Sequence, residues 1–330
     1  MRKILHLMIC ILLFVLTSCD VHEWPETPKY VKLHLRLTYE TDMTIWNHLY
    51  DGEQVIDQGF GETYDNQLES GKIRYIVRTY PISEKQRTMQ DYTQEFVFTK
   101  DVVEGYDHEV TLDVLPGNYN VMVWSDLVET SGDTPFYNAD SFVEILLQGD
   151  QTGNINHRDA FCGKDNITLS AKSGAQLSKT INIRMKRPLA KFEIVANDLM
   201  EFTDMKGSDL SQYKAKIQYI GFVPNAYSLF TERPVASSTG KMFESSLTKL
   251  TDAEVSMGFD YVFVSEKGTT VTVRIGIYDK KDQPISFSNT MTIPILPDHH
   301  TRLAGKFLMQ KTSNGVDIDP NWSGDYNIIL

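Results

Sequence analysis

Hydrophobic and polar residues alternate in two consecutive runs near the middle of the chain. The apolar positions of these runs are Ile181, Ile183 and Met185, followed by Ala190, Phe192, Ile194 and Ala196. A period of two predicts a strand with one buried face in each run. Pro188 separates the runs and has no N–H with which to continue a ladder of hydrogen bonds. The pattern therefore predicts that one β domain ends here and that another begins.

Short runs of the same kind recur along the whole chain. The clearest is the first, in which Val31, Leu33, Leu35, Leu37 and Tyr39 alternate with polar residues. The other predicted strands cover residues 73–80, 95–99, 108–114, 119–124, 142–147, 166–169, 216–223, 260–264, 271–277, 285–293, 302–309 and 325–330. We expect helical turns near 157–161 and 198–202, and a long irregular connection over 231–258.

Short strands with frequent turn signals are typical of β-sandwiches. The segment Leu115-Pro116-Gly117-Asn118 joins two strands in a pattern that resembles the hairpin of transthyretin-like and immunoglobulin-like sandwiches. The 330 residues are enough for about two domains of ordinary size. We therefore predict an all-β fold with two consecutive transthyretin-like or immunoglobulin-like β-sandwich domains, at residues 30–187 and 188–330.

The start of the chain predicts export and lipid attachment. Arg2 and Lys3 precede an apolar stretch over 4–16, which is too short to span a membrane and is typical of a secretory signal. The following Leu16-Thr17-Ser18-Cys19 resembles the lipobox of bacterial lipoproteins, in which the cysteine thiol takes a diacylglycerol. The resemblance implies a signal peptide at 1–18, a lipid with acyl chains such as palmitate on Cys19, and a tether at 19–29. An ordinary cleaved signal with a chance cysteine is the alternative.

Charge and cysteine content exclude several classes of function. The formal net charge is -12, which argues against nucleic-acid binding because that requires a basic face. Of the three cysteines, Cys10 and Cys19 belong to the leader, so Cys162 has no partner for a disulfide within the body. No base pairs with Cys162 in an evident motif, so we expect a small buried residue rather than a nucleophile.

Candidate sites of other chemistry are weak. Asp317, Asp319 and Asn321 alternate as in a calcium loop, but Gly324 and Ile328 do not fit the remaining positions. Adjacent histidines, at 299 and 300, would point to opposite faces of a strand, which disfavours zinc. No phosphate loop, nucleophile elbow or zinc-protease motif occurs. We therefore predict a non-enzymatic protein without a metal or another cofactor.

The tryptophans leave one binding alternative open. Trp24, Trp46, Trp124 and Trp322 could form a sugar-stacking face. On its predicted strand Trp124 alternates with Val121 and Val123, so we expect Trp124 to face away from the core and to be exposed.

Several segments together resemble the fimbrillin superfamily, whose members form type V pili. They are Arg187-Pro-Leu-Ala-Lys-Phe-Glu-Ile194, residues 293–301, 303–308 and 316–324, and the turn at 115–119 with the strand that follows it. The resemblance implies a lipoprotein of two stacked β-sandwich domains that builds or anchors surface pili of Gram-negative anaerobes. In that superfamily stalk subunits lose their first strand to a trypsin-like protease, and a strand from a neighbour fills the gap. Anchor subunits keep the strand and the lipid.

The positions of lysine and arginine favour the role of an anchor subunit over that of a stalk subunit. Residues 37–71 contain neither, so a trypsin-like protease has no site in the loop after the first strand, and Arg36 lies inside that strand. We predict an outer-membrane, surface-exposed anchor or accessory subunit, held through the lipid on Cys19 and partnered by other fimbrial subunits. A surface lipoprotein that binds host or other glycans for nutrient uptake is the alternative, and an enzyme is a weaker third possibility.

Overall fold

The computed structural model of the protein describes residues 30–82, 92–128, 135–150, 152–170 and 178–310. Within these ranges nearly every element is a strand, and the all-β prediction is confirmed. None of the helices in these ranges is long and apolar enough to cross a membrane. The predicted signal peptide, the tether with Cys19, the turn at 316–324 and the final strand lie outside the described residues.

The strands up to Pro188 include every predicted one and several more. They are β1 (Val31–Tyr39), β2 (Asp42–Tyr50), β3 (Val55–Asp65), β4 (Lys72–Pro81), β5 (Gln94–Asp101), β6 (His108–Val114), β7 (Gly117–Val128), β8 (Tyr137–Asn138), β9 (Ile145–Leu147), β10 (Ala160–Leu169) and β11 (Ser178–Met185). Two 3-10 helices lie at Val102–Glu104 and Asn156–Arg158, the second at a predicted helical turn.

The strands after Pro188 are equally short. They are β12 (Leu189–Ala196), β13 (Tyr213–Tyr219), β14 (Val223–Ser228), β15 (Arg233–Ser238), β16 (Met242–Ser246), β17 (Thr248–Lys249), β18 (Val255–Phe263), β19 (Thr269–Asp279), β20 (Pro284–Phe287), β21 (Met291–Ile295) and β22 (His299–Gly305). The helix α1 (Leu199–Lys206) follows β12 near the second predicted helical turn, and a 3-10 helix covers Leu210–Gln212.

These strands form two pairs of sheets and one smaller sheet. The sheet β11-β1-β6 shares the first core with the sheet β10-β7-β4-β5, and this pair of sheets is called the first sandwich. The sheet β17-β18-β12-β22-β2-β3 shares the second core with the sheet β16-β13-β19-β20, to which β21 adds on β19. This second pair of sheets is called the second sandwich. The smaller sheet has the order β15-β14-β9-β8. β11 and β12, which lie on either side of Pro188, belong to different sheets.

A third core connects the two pairs of sheets. It contains Trp124 from β7, Phe142 from the segment before β9, Tyr227 from β14 and Phe263 from β18. The backbone crosses between the pairs as well, because β2 and β3 precede Pro188 but extend the six-stranded sheet beyond β22. The division into domains at 30–187 and 188–330 remains a prediction, and the strand pairing shows that segments on both sides of residue 187 contribute to one sheet.

Three local predictions are wrong. The stretch 231–258, expected to be irregular, contains β15, β16, β17 and the start of β18. The segment 285–293 holds parts of two strands rather than one, because β20 and β21 pair with different parts of β19. The strands β6 and β7 are not a hairpin: β6 pairs with β1, and β7 pairs with β4 and β10, so the turn at Pro116 carries the chain from one sheet to the other.

Candidate functional site

The first strand lies in the middle of its sheet and is paired on both edges. β1 runs parallel to β11 from Lys32 opposite Ser178 to Tyr39 opposite Met185. On its other edge it runs antiparallel to β6, from Val31 opposite Val114 to Leu37 opposite His108. The peptide bond after Arg36 therefore lies between two neighbouring strands, where a protease cannot bind it without unfolding the sheet.

The inward face of β1 supplies part of the first core. Val31, Leu33, Leu35 and Leu37 are at most 3% exposed, and they pack with Tyr75, Val77 and Val121 from the facing sheet. The predicted alternation is confirmed over the whole strand, since every second residue is buried. Truncating a buried leucine to alanine typically costs about 2–5 kcal/mol, so this face is a large part of the stability of the first sandwich.

The outward face of β1 matches β6 residue by residue. Lys32 Nζ lies 3.0 Å from Asp113 Oδ1, and Arg36 Nε lies 2.8 Å from Glu109 Oε1. Between these ion pairs, His34 Nδ1 lies 2.9 Å from Thr111 Oγ1. Each pair is a directly opposed pair in the strand register. Such exposed pairs add little stability, but they favour this register over a slipped one.

The buried guanidinium of Arg187 holds the link by which the chain leaves β1. Its Nη2 donates to the Thr41 carbonyl over 3.0 Å, and its Nη1 lies within 3.4 Å of the carbonyls of Glu40 and Asp42. Its Nε donates to both carboxylate oxygens of Asp159, at 2.8 and 3.0 Å. One side chain thus connects the β1–β2 link to the start of β10.

Charge compensation keeps this guanidinium ionised. The Arg187 side chain is fully buried and the Asp159 side chain is 1% exposed, while Asp298 Oδ1 lies 3.2 Å from Nη1. Burial lowers the pKa of Arg187, but the carboxylates of Asp159 and Asp298 outweigh burial and raise it. Arg187, the first residue of the quoted segment Arg187–Ile194, therefore fixes the path of the chain out of β1.

A second feature is an aromatic patch on the edge of the six-stranded sheet, formed by Trp46, Phe60 and His299. The register of β2 and β3 places Trp46 opposite Phe60, with ring centroids 5.5 Å apart and planes 28° from parallel. The ring of His299, on β22, lies 5.2 Å from that of Phe60. The buried ring of His48, two residues along β2, contacts Trp46 edge-on with ring centroids 4.6 Å apart.

The predicted tryptophan face does not form as expected. Trp124 is fully buried, so the prediction that it is exposed is wrong. Its strand is covered on both faces, because the third core packs on the side away from Val121 and Val123. Trp46 is half-buried in the aromatic patch, and Trp24 and Trp322 lie outside the described residues.

The other candidate residues fall in separate places. Cys162 is buried, as predicted, and burial raises the pKa of its thiol to about 12. His299 and His300 point to opposite faces of β22: His299 contacts Phe60, whereas His300 Nε2 lies 3.2 Å from Glu193. Within the described ranges, no three His, Cys, Asp or Glu side chains converge as a metal site. Cys19 and the turn at Asp317 lie outside these ranges.

Phe60 is not among the candidate residues that the sequence indicates. The flanking Gly59 and Gly61 are of a type common in turns, whereas both lie inside β3. A phenylalanine between two glycines is the one local signal that could have drawn attention to it. Its pairing with Trp46 depends on a strand register that the sequence does not show.

One protein family matches nearly the whole chain. The profile of DUF6562, described as a family of unknown function, matches residues 27–330. The chain belongs to this family. A search of curated proteins finds no match.

Solved structures of bacterial proteins are similar over most of this DUF6562 chain, at low identity. The fimbrial anchor protein Mfa2 from Porphyromonas gingivalis is 10% identical with a TM-score of 0.37, covering 78% of this chain and 82% of its own. A candidate cell adhesion protein from Bacteroides eggerthii is 11% identical with a TM-score of 0.42, covering 88% and 92%. A candidate polysaccharide-binding protein from Bacteroides thetaiotaomicron is 12% identical with a TM-score of 0.41, covering 78% and 80%.

Proposed function

We propose that this DUF6562 protein is a cell-surface lipoprotein that serves as an anchor or accessory subunit of a fimbrillin-type pilus. In this role it keeps its own first strand and assembles with other fimbrial subunits by β-strand addition. A lipid on Cys19 holds it at the outer membrane. The proposal combines the sequence resemblance to the fimbrillin superfamily with the position of β1.

The observation that carries the proposal is the way β1 is retained. A stalk subunit of the fimbrillin type must release its first strand to leave a groove for its neighbour. Here β1 is paired on both edges, and its exit at Glu40 and Thr41 is held by Arg187. Residues 37–71 offer a trypsin-like protease no Lys or Arg. These features suit a subunit that stays whole.

Strand addition requires a sheet edge that a partner can reach. In the sheets as described, β5 and β6 are end strands of the two sheets of the first sandwich. Phe96 and Phe98 on β5 and Val110 on β6 are half-buried against the first core at this side. An extended apolar segment from a partner could extend either sheet here.

The first experiment is to determine the mature N-terminus on cells. The protein is extracted from the outer-membrane fraction without proteolytic digestion, and its N-terminus is identified by mass spectrometry of the intact chain. We expect a lipid-bearing chain that begins at Cys19 and continues through β1, and a Cys19→Ala variant should lose membrane attachment. A mature N-terminus at Leu37 would contradict the proposal.

A matched variant tests whether the protease has access to the neighbouring connection. Glu69 is exposed in the connection between β3 and β4. The Glu69→Arg variant should yield a fragment that ends at residue 69, while the unchanged chain should yield none ending between 36 and 72. Cleavage of both proteins after Arg36 would show that β1 is not protected.

A second experiment tests assembly. Outer-membrane extracts are compared, with and without boiling, by denaturing electrophoresis and blotting. Strand-exchanged assembly predicts a high-mass band that collapses on boiling. A lipid-bearing monomer in both lanes would remove the pilus part of the proposal and leave the lipid anchor.

A further inference from the structure

The aromatic patch exposes a phenylalanine that the fold does not need. Phe60 is 62% exposed, and it belongs to none of the three cores among the described residues. A single exposed apolar side chain is common in soluble proteins. This one differs because Trp46 and His299 contact it on a regular sheet, which makes a continuous aromatic surface.

The glycines on either side of Phe60 allow β3 to keep its path beside β2. A methyl group placed on Gly59 would meet no described atom within 4 Å outside its chain neighbours. Gly59 also has φ of +85°, which L side chains rarely adopt. A methyl group on Gly61 would lie 2.9 Å from the Asn47 side-chain amide. Gly59 thus allows a backbone conformation that other residues rarely adopt, and Gly61 allows β3 to lie close to Asn47 on β2.

The rings are fixed before any ligand arrives. Trp46 Nε1 donates to Asp57 Oδ1 over 3.0 Å, and the same oxygen accepts from the Gly59 N–H over 2.7 Å. The edge-on contact with buried His48, two residues along the same strand, also restrains the indole. A surface that is already rigid loses little conformational entropy on binding.

Hydrogen-bonding groups surround the rings. The backbone N–H of Gly59 lowers the pKa of Asp57, so this carboxylate is ionised and accepts hydrogen bonds at neutral pH. His299 Nδ1 lies 2.7 Å from the Pro297 carbonyl, which can only accept, so Nδ1 is the donor. That assignment leaves Nε2 of a neutral ring as an acceptor. Aromatic faces with a few placed polar groups are what a ligand with both C–H and hydroxyl surfaces requires.

The charge of the β2–β3 segment selects among such ligands. Residues 42–65 contain Asp42, Asp51, Glu53, Asp57, Glu62 and Asp65 but no Lys or Arg, a formal charge of -6. This charge repels uronates, sulfated sugars and nucleic acids. A neutral sugar meets no such repulsion.

We propose that Trp46 and Phe60 bind a pyranose ring of a neutral glycan, with the Asp57 carboxylate and His299 Nε2 accepting hydrogen bonds from its hydroxyls. The C–H face of the sugar packs against the aromatic rings. This binding is independent of the proposed role in a pilus.

The test is affinity electrophoresis of the chain from residue 20 in native gels that contain one polysaccharide each. The neutral probes are laminarin, glycogen, mannan and galactan, and polygalacturonate is the anionic comparison. We expect at least one neutral polysaccharide to retard the protein and polygalacturonate not to. Phe60→Ala and Trp46→Ala should each weaken that binding by about 3- to 10-fold.

Phe222 provides the matched control, because it is a 77% exposed phenylalanine on a turn away from the patch. Phe222→Ala should bind as the unchanged protein does. Circular dichroism and thermal unfolding check each fold, and Trp46→Phe keeps an aromatic ring if Trp46→Ala unfolds. Absence of retardation by every neutral probe, or equal losses in Phe60→Ala and Phe222→Ala, would overturn the proposal. Loss of a bound protein subunit rather than a glycan in Phe60→Ala would also overturn it.

Discussion

Arg187 illustrates how one buried residue can determine the path of the chain. Its guanidinium contacts Asp159, Asp298 and three backbone carbonyls, so it connects segments that are far apart in the sequence. Removing one member of a buried ion pair leaves the other charge uncompensated, which typically costs about 3–5 kcal/mol.

We therefore expect Arg187→Met to lower the free energy of unfolding by about 3–5 kcal/mol, measured by urea denaturation. Arg36→Met is the matched control, because Arg36 pairs with Glu109 on the surface and both side chains are more than half exposed. That variant should change stability by less than about 1 kcal/mol. Equal effects of the two substitutions would show that the buried contacts of Arg187 contribute no more than a surface pair.

At the residue scale, His300 makes the free energy of unfolding depend on pH. Its ring is buried, with Nδ1 3.0 Å from the Tyr64 hydroxyl and Nε2 3.2 Å from Glu193 Oε2. Burial lowers the pKa of His300, although Glu193 opposes the shift. The folded protein therefore keeps the ring neutral at pH values where the unfolded chain protonates it. Stability from this group is present above pH about 6.5 and is lost as the pH falls below that value.

Two charged residues near His300, Glu193 and Lys191, titrate in other pH ranges. Burial raises the pKa of Glu193, but hydrogen bonds from His300 and Ser256 outweigh it, and the net shift is downward. Its contribution is therefore present above the unfolded pKa of about 4.3 and is lost only at lower pH. Burial lowers the pKa of Lys191, a group that titrates in the alkaline range in the unfolded chain.

We predict that the free energy of unfolding falls between pH 7 and pH 5, and that His300→Gln falls less over the same range. The difference between the two slopes should not exceed about 1.4 kcal/mol per pH unit. Urea denaturation at pH 7, 6 and 5 measures both slopes. Identical slopes in the two proteins would exclude His300 as the titrating group.

At the scale of elements, we expect substitutions on the two faces of β1 to affect folding differently. Leu35 is fully buried, whereas Thr38 on the same strand is exposed. Leu35→Glu places a carboxylate in the first core, where an unpaired charge is strongly unfavourable. We expect this variant to be insoluble or to lose its cooperative thermal transition, while Thr38→Glu keeps a transition near that of the unchanged protein. A folded, soluble Leu35→Glu variant would mean that β1 is dispensable for the first sandwich.

The same strand shows what the sequence could predict. One face of β1 meets a core and the other meets solvent, so its burial follows the alternation of its residues. The burial of β7 does not follow the alternation of its residues. The third core covers the face that carries Trp124, so both faces of this strand are buried. Alternation alone cannot distinguish a face that meets solvent from one that meets a second core.

The missed strands have a related cause. β2 is partly covered on both faces and shows no clean alternation, and β3 is acidic and contains two glycines. Their position is set by parallel pairing of Thr44–Tyr50 with His299–Gly305, more than 200 residues away. Nothing local in the sequence encodes that contact. The aromatic patch depends on it, so the patch could not be predicted, whereas the burial pattern of the first strand could.

At the scale of the whole molecule, the two sandwiches share structure. β2 and β3 complete the sheet of the second sandwich, and Tyr50 lies in its core. The third core joins Trp124 and Phe142 to Tyr227 and Phe263 across the boundary that the sequence places at residue 187. Separating the chain there would expose these aromatic side chains and remove β2, one of the two strands that pair with β22.

We therefore predict that residues 188–330 expressed alone are aggregated or unfolded, and that co-expression with residues 30–187 restores a soluble complex. Two-state unfolding of the intact chain should then give coincident transitions by tryptophan fluorescence and circular dichroism, because the second sandwich takes β2 and β3 from before residue 188 and the third core joins both sandwiches. Extending the second fragment by fusing residues 42–65 to it supplies β2 and β3, and should improve its solubility more than fusing residues 94–114, which form β5 and β6. A monomeric, cooperatively folding fragment 188–330 would establish instead that the second sandwich is an independent domain and that β2 and β3 only add to its edge.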